Sequence, residues 1–160
     1  MNRGSAKRIR VLFVCHGNIC RSPMAEFLMK KRVEDMGIAE KFHIESAATS
    51  SEEIGSPVHR GTAKILNAAG IDCSGKRARR VTADDYENFD YIIGMDQYNL
   101  RNLLRFFGGD PENKIRLLLD FTSDPGDVAD PWYTRDFDAT YRDVTRGIDG
   151  FLTETESVWR

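Results

Sequence analysis
The segment Ile9–Val14, IRVLFV, constrains this chain more than any other. Five of its six residues are apolar and most are branched. A run this dense fits a strand covered on both faces, as in a parallel sheet, better than a half-exposed alternating one. A short polar loop follows, then Ser22-Pro23, which offers an N-cap and a proline at the first helical position. Ala25, Leu28, Met29, Val33 and Met36 recur at helical spacing up to Gly37.

The unit repeats. His43–Thr49 reads as a second strand, and Ser56-Pro57 opens a helix in which Ile65, Leu66 and Ala69 face inward before Gly70 closes it. Tyr91–Met95 is a third strand; Asp96 caps the next helix, which carries Leu100, Leu103, Leu104 and Phe107 and ends at Gly108-Gly109. Ile115–Leu119 is the fourth. Beyond a Pro/Gly/Asp-rich loop from Thr122 to Pro131, a last helical stripe runs through Phe137, Tyr141, Val144, Ile148, Phe151 and Leu152. This alternation predicts a three-layer α/β fold, a four-stranded parallel sheet doubly wound with helices on both faces. The chain has 160 residues, 41% of them hydrophobic, enough for one domain over residues 1–160, with residues 1–7 expected to be flexible.

No apolar stretch approaches the ~18 residues of a membrane span, and no secretory signal is visible. Three cysteines, Cys15, Cys20 and Cys73, do not make a disulfide framework and read as thiols of a reducing compartment, so a cytoplasmic protein is expected. The net charge of −2 is unevenly spread: residues 1–119 hold 19 Lys and Arg against 15 Asp and Glu, the rest 4 against 10. That excess is too small for a nucleic-acid partner, and the cluster Lys76, Arg77, Arg79, Arg80 reads as a solvated surface run. His16, His43 and His59 lack ligand spacing, so no metal is expected.

In open α/β sheets the ligand lies beyond the carboxyl ends of the strands, so the loops starting at Cys15, Ser50, Asp96 and Phe121 should converge. The first of them, Cys15-His16-Gly17-Asn18-Ile19-Cys20-Arg21-Ser22, stands between a buried strand and a helix start, where backbone N–H groups gather around an anion. Cys15 and Arg21 have the spacing C-x5-R, which lets the loop wrap one tetrahedral oxyanion with the sulfur beneath it and a guanidinium bridging two oxygens. The same surroundings favour a thiolate nucleophile. Ser22 is placed to donate to that thiolate or to cap the helix, Gly17 to turn an amide inward, and Asn18 to tolerate the left-handed region.

The stretch Val11–Pro23, VLFVCHGNICRSP, resembles the signature C-x-G-N-x-C-R-S-P of the low-molecular-weight protein tyrosine phosphatases at every fixed position. The resemblance continues through Ser46–Ser50, Gly70-Ile71, Ala78-Arg79, Phe89–Leu104 and Asp130-Pro131. It implies a flavodoxin-like sheet and hydrolysis of protein phosphotyrosine and small aryl phosphates without metal or organic cofactor; a monomer is expected. Cys15 would be the nucleophile, Arg21 the phosphate ligand and Asp130 the acid that protonates the leaving oxygen. His16, Gly17, Asn18, Ile19, Cys20 and Ser22 would form the phosphate loop. An acid is needed on chemical grounds alone, and Asp130, restricted by the proline after it, lies in a loop near the strand ends.

Three positions depart from better-known members. Glu52 stands where an aromatic is common at the mouth of the site; Trp132 and Tyr133 follow Asp130-Pro131 where many members have two tyrosines; and Lys76 occupies the place of a histidine that supports the loop asparagine. Tyr133 is expected to pack, with phosphorylation the alternative. Ile19 is the residue associated in the family with phosphotyrosine rather than phosphoarginine. Cys20 lies within reach of Cys15 for a protective disulfide, or packs beneath the loop. Two other functions stay open: arsenate reduction on the same fold, which needs relay cysteines that this chain lacks beyond Cys73, and phosphate binding without catalysis.

Overall fold
The computed structural model describes residues 7–160. The expected flexibility of residues 1–6 therefore lies outside the described residues, and Lys7 is exposed coil. Four parallel strands, β1 (Ile9–Cys15), β2 (Phe42–Ala48), β3 (Tyr91–Gly94) and β4 (Ile115–Leu117), form one sheet in the order β2-β1-β3-β4. The helices are α1 (Arg21–Asp35), α2 (Arg60–Ala68), α3 (Asp85–Asn88), α4 (Gln97–Phe107), α5 (Pro131–Thr134), α6 (Phe137–Glu154) and α7 (Glu156–Trp159).

The alternation of β1 divides the interior in two. Ile9, Val11, Phe13 and Cys15 point into a core shared with Met24, Ala25, Met29 and Val33 of α1 and with Val144, Ile148, Phe151 and Leu152 of α6. Leu12 and Val14 point the other way, onto Ala47, Val81, Phe89, Ile92, Leu103 and Ile115. Both faces are dry, which is why IRVLFV carries no alternation. The central strand is thus anchored from both sides, and its carboxyl end at Cys15 is held in place by the whole core.

Several local expectations are corrected. Ser22-Pro23 does not begin the first helix: its N-cap is Cys20, the first turn starts at Arg21, and Ser22 faces inward. Ser56-Pro57 does not open α2 either. Its N-cap is His59, whose Nδ1 accepts from the N–H of Gly61 at 3.0 Å, while Pro57 bridges to Arg77. Ser22 and Pro23 fall within the first turn of α1, whereas Ser56-Pro57 lies in the segment ahead of α2. The fourth strand stops at Leu117, after which Leu118–Phe121 form a 3-10 turn. Asp96 does cap α4, within a reciprocal capping box with Asn99, and Gly108 ends it with a left-handed φ of 75°. Ala69, expected to face inward, is exposed, and so is Met36 at the end of the first helical stripe.

The site end of the sheet depends on how closely α6 lies against that 3-10 turn. A β-carbon built on Gly150 would collide with the backbone carbonyl of Phe121, which cannot move aside as a side chain can. Gly150→Ala is expected to cost about 1–3 kcal/mol by overpacking and to lower Tm by several degrees, measured by thermal circular dichroism.

Candidate active site
The four loops do converge. The N–H of Thr49 donates to the carbonyl of Cys15 at 2.9 Å, and that of Ser50 to His16 at 3.0 Å. The N–H of Val128 donates to Met95 at 2.8 Å, which ties the 121–131 loop to the end of β3. Between them lies a cavity of about 140 Å³ lined by Cys15, His16, Gly17, Ile19, Cys20, Arg21, Glu52, Glu53, Asp130, Trp132 and Tyr133.

At its floor the sulfur of Cys15 lies 3.1 Å from Ser22 Oγ and 3.4 Å from the Ser22 N–H. Ser22 Oγ accepts from Asn18 Nδ2 at 2.8 Å, so its own hydrogen is free to point at the sulfur, the carbonyl of Ala47 being more distant at 3.5 Å. Asn18 sits at φ +59°, so the left-handed turn falls on Asn18 rather than on Gly17. Its carboxamide also donates to Ser46 Oγ at 2.9 Å and accepts from the Arg79 N–H at 3.1 Å. Ser46 in turn donates to Glu26 Oε1 at 2.5 Å, and Glu26 accepts from Lys30 at 2.6 Å. Lys76 Nζ reaches the Ser46 carbonyl at 3.0 Å and Glu26 at 3.4 Å. A continuous hydrogen-bond network therefore connects the two lysines, through Glu26, Ser46 and Asn18, with Ser22 and the sulfur; Glu26 accepts from both sides and the Asn18 amide donates to both.

Lys76 is accordingly not part of a solvated run: its side chain is only 13% exposed. Burial pulls its pKa below the ordinary lysine value, with Glu26 opposing. Arg79 is committed too, to Asp85 and Glu45. The departure from the family's histidine is filled by an ammonium that supports the asparagine through Ser46 and Glu26.

Arg21 is buried. Its Nη1 donates to Asp96 Oδ2 at 2.7 Å and to the Val128 carbonyl at 2.9 Å, and Nη2 to Asp130 Oδ2 at 3.4 Å. Burial works against its charge, but the negative charges at Cys15, Asp96 and Asp130 raise its pKa above the ordinary value. Nε has no acceptor among the described residues, and the Nη2 bond to Asp130 is the longest of the three. Asp96 was foreseen as a helix cap at the start of a converging loop, not as a partner of Arg21. It does both jobs, Oδ1 accepting from Asn99 and Oδ2 from Arg21.

Asp130 is steered by its own backbone: Oδ1 accepts from the Trp132 N–H at 3.0 Å, leaving Oδ2 facing Arg21. Cys20 is buried, and burial, with the charges at Cys15 and Asp130, pushes its thiol up to about 12. At the rim His16 pairs with Glu52 at 3.1 Å. Trp132 is 54% and Tyr133 81% exposed, so Tyr133 does not pack as expected but stands at the mouth. Glu53 lines the cavity unforeseen; its neighbour Glu52 drew attention only through the family pattern. Outside the loop, the His59 N–H donates to the Ile19 carbonyl at 2.8 Å and Thr62 Oγ1 to that of Cys20 at 3.1 Å. Cys73 does not line the cavity. Among the described residues no three His, Cys, Asp or Glu side chains are placed to hold a metal ion, and no helix is long and apolar enough to cross a membrane.

The family model for the low molecular weight phosphotyrosine protein phosphatases matches residues 10–158. The chain belongs to that family. It is similar to the low molecular weight protein-tyrosine-phosphatase YfkJ of Bacillus subtilis, 40% identical over 150 residues, which span 92% of this chain and 96% of the relative. The crystal structure of YfkJ superposes with a TM-score of 0.92 over 99% of this chain and 100% of that one, at 38% identity. That of the low molecular weight protein tyrosine phosphatase from Streptococcus pyogenes gives 0.81 over 95% and 99%, at 42% identity. This family's members are hydrolases, and the four-stranded parallel sheet expected from the sequence is the fold they share.

The chain of contacts through Asn18 generates a prediction. Asn18→Ala removes three hydrogen bonds and leaves alanine in the left-handed region, so it is expected to cost about 2–4 kcal/mol in urea unfolding. By displacing the loop it should also lower kcat/KM for p-nitrophenyl phosphate by about 10²-fold.

Proposed function
We propose that this phosphatase removes the phosphate from protein phosphotyrosine in two steps through a phosphocysteine intermediate. The observation that carries the reading is that Cys15, Arg21 and Asp130 meet in one cavity, the sulfur hydrogen-bonded by Ser22 and the Arg21 guanidinium paired with Asp130. In the first step the Cys15 thiolate attacks phosphorus. The S–P bond forms as the P–O bond to the ring breaks, and Asp130 gives its proton to the departing phenolate. Arg21 and the loop N–H groups hold the equatorial oxygens as charge gathers on them. In the second step Asp130 takes a proton from water, the water oxygen attacks phosphorus, and the S–P bond breaks. Inorganic phosphate leaves, and the Ser22 hydroxyl stabilises the returning thiolate.

The exposed rings of Trp132 and Tyr133 at the mouth suit an aromatic leaving group. Phosphate release from a phosphotyrosine peptide without added metal should be seen with the wild type and lost with Cys15→Ser; release by Cys15→Ser would remove the nucleophile assignment. Asp130→Asn should slow hydrolysis of phenyl phosphate about 10²–10⁴-fold. It should slow p-nitrophenyl phosphate far less, because p-nitrophenolate leaves with little need of a proton.

Oxidation fits the same site. Peroxide would convert the Cys15 thiolate to a sulfenic acid, and attack by Cys20 would expel water and leave a Cys15–Cys20 disulfide. Because the Cys20 thiol is pushed up to about 12, this closure should be faster at pH 9 than at pH 7, followed by mass spectrometry of the peroxide-treated protein.

A further inference from the structure
A second cavity, of about 400 Å³, opens on the far side of Trp132 from the phosphate site. It is lined by His59, Arg60, Gly61, Pro131, Trp132, Arg135 and Phe137, and no carboxylate is among them. Arg60 and Arg135 are exposed, and neither forms an ion pair or a side-chain hydrogen bond among the described residues. Arg10, Arg21, Arg32, Arg79, Arg116, Arg146 and Arg160 are paired with carboxylates, whereas Arg8, Arg77, Arg101 and Arg142, like these two, have no such pair among the described residues; Arg60 and Arg135 are the two that share a cavity beside the phosphate site.

The groove is firmly built. The His59 ring stacks on Phe137 at a centroid distance of 5.2 Å and meets Trp132 edge-on at 5.9 Å. Its backbone N–H holds the Ile19 carbonyl of the phosphate loop, so the groove and the phosphate site are fixed to one another. Because Nδ1 accepts from Gly61, the neutral ring carries its hydrogen on Nε2. Burial, together with the charges of Arg60 and Arg135, holds its pKa below the ordinary histidine value. Arg135 also adopts a φ of +62°, where glycine or asparagine would sit with less strain.

The groove on the other side of the mouth differs. There Arg80 is engaged by the Thr49 carbonyl and by the face of Phe106, Arg105 by Asn102, and His16 by Glu52. Its cations are already answered.

Building on the phosphatase reading, we propose that the groove formed by His59, Arg60 and Arg135 binds an acidic side chain flanking the phosphotyrosine of the substrate, on one side of it only. A carboxylate there meets two unpaired guanidinium groups while the phosphotyrosine ring rests against Trp132. The groove is a specificity subsite, separate from the reacting atoms.

The test compares kcat/KM for three phosphotyrosine peptides: one with neutral flanks, one with glutamates before the phosphotyrosine and one with glutamates after it. The wild type should prefer one acidic peptide over the neutral one by about three- to tenfold, an effect that shrinks as salt rises. The double variant Arg60→Gln/Arg135→Gly, which keeps a residue suited to the left-handed position, should bring that ratio close to one. No preference, equal preference for both acidic peptides, or a preference that survives in the double variant would each overturn the proposal. Binding of the same peptides to Cys15→Ser, followed by fluorescence anisotropy, reads the subsite without turnover. If the wild type hydrolyses none of the peptides nor p-nitrophenyl phosphate, the phosphatase reading fails, and the anisotropy ratios still decide the subsite.

Discussion
The carboxamide of Asn18 is the joint on which the site depends. A loop that must wrap one anion between the end of a strand and the start of a helix has to reverse within a few residues, and here the reversal is taken by a left-handed asparagine. Its side chain holds that conformation by bonding to α1 through Ser22, to β2 through Ser46 and to the 79–81 segment through the Arg79 N–H. Each of these elements belongs to the buried sheet or packs on it. The position of the Cys15 sulfur is therefore set by the core, and the polarity of its environment by a hydrogen-bond chain whose far end is anchored on Lys30 and Lys76.

A buried guanidinium presents the opposite problem, since a charge removed from water is tolerable only when it is paired and its donors are satisfied. Arg21 meets this with Asp96, Asp130 and the Val128 carbonyl. The economy lies in double use. Asp96 also starts α4, and Asp130 also caps α5, so the carboxylates that hold Arg21 are themselves held by backbone N–H groups.

The sheet, its helices and the phosphate loop were legible in the sequence because β1 states its burial on both faces and Asp96 and Gly108 state the ends of α4. What misled were the Ser-Pro pairs. Ser22 carries the features of a cap, but its hydroxyl serves the sulfur of Cys15, a demand set by tertiary structure. The four basic residues from Lys76 to Arg80 look alike in sequence, yet Lys76 and Arg79 are drawn inward by Glu26, Glu45 and Asp85, acids 30 to 50 residues upstream or a few residues downstream. The proline after Asp130 narrows the choice, but Asp124 in the same loop also precedes a proline, and the family pattern decides between them.

The outward carbonyls of Ile19 and Cys20 are taken up by the backbone of His59 and the hydroxyl of Thr62, so the phosphate loop has its outer polar groups answered and its inner ones free for the ligand. The side chains of the rim residues Glu52, Trp132 and Tyr133 are exposed, and the first two touch only His16 and His59. Chemistry and recognition are thus separable under mutation: the wall around the mouth can be rewritten for a new substrate while the machinery beneath it stays as it is.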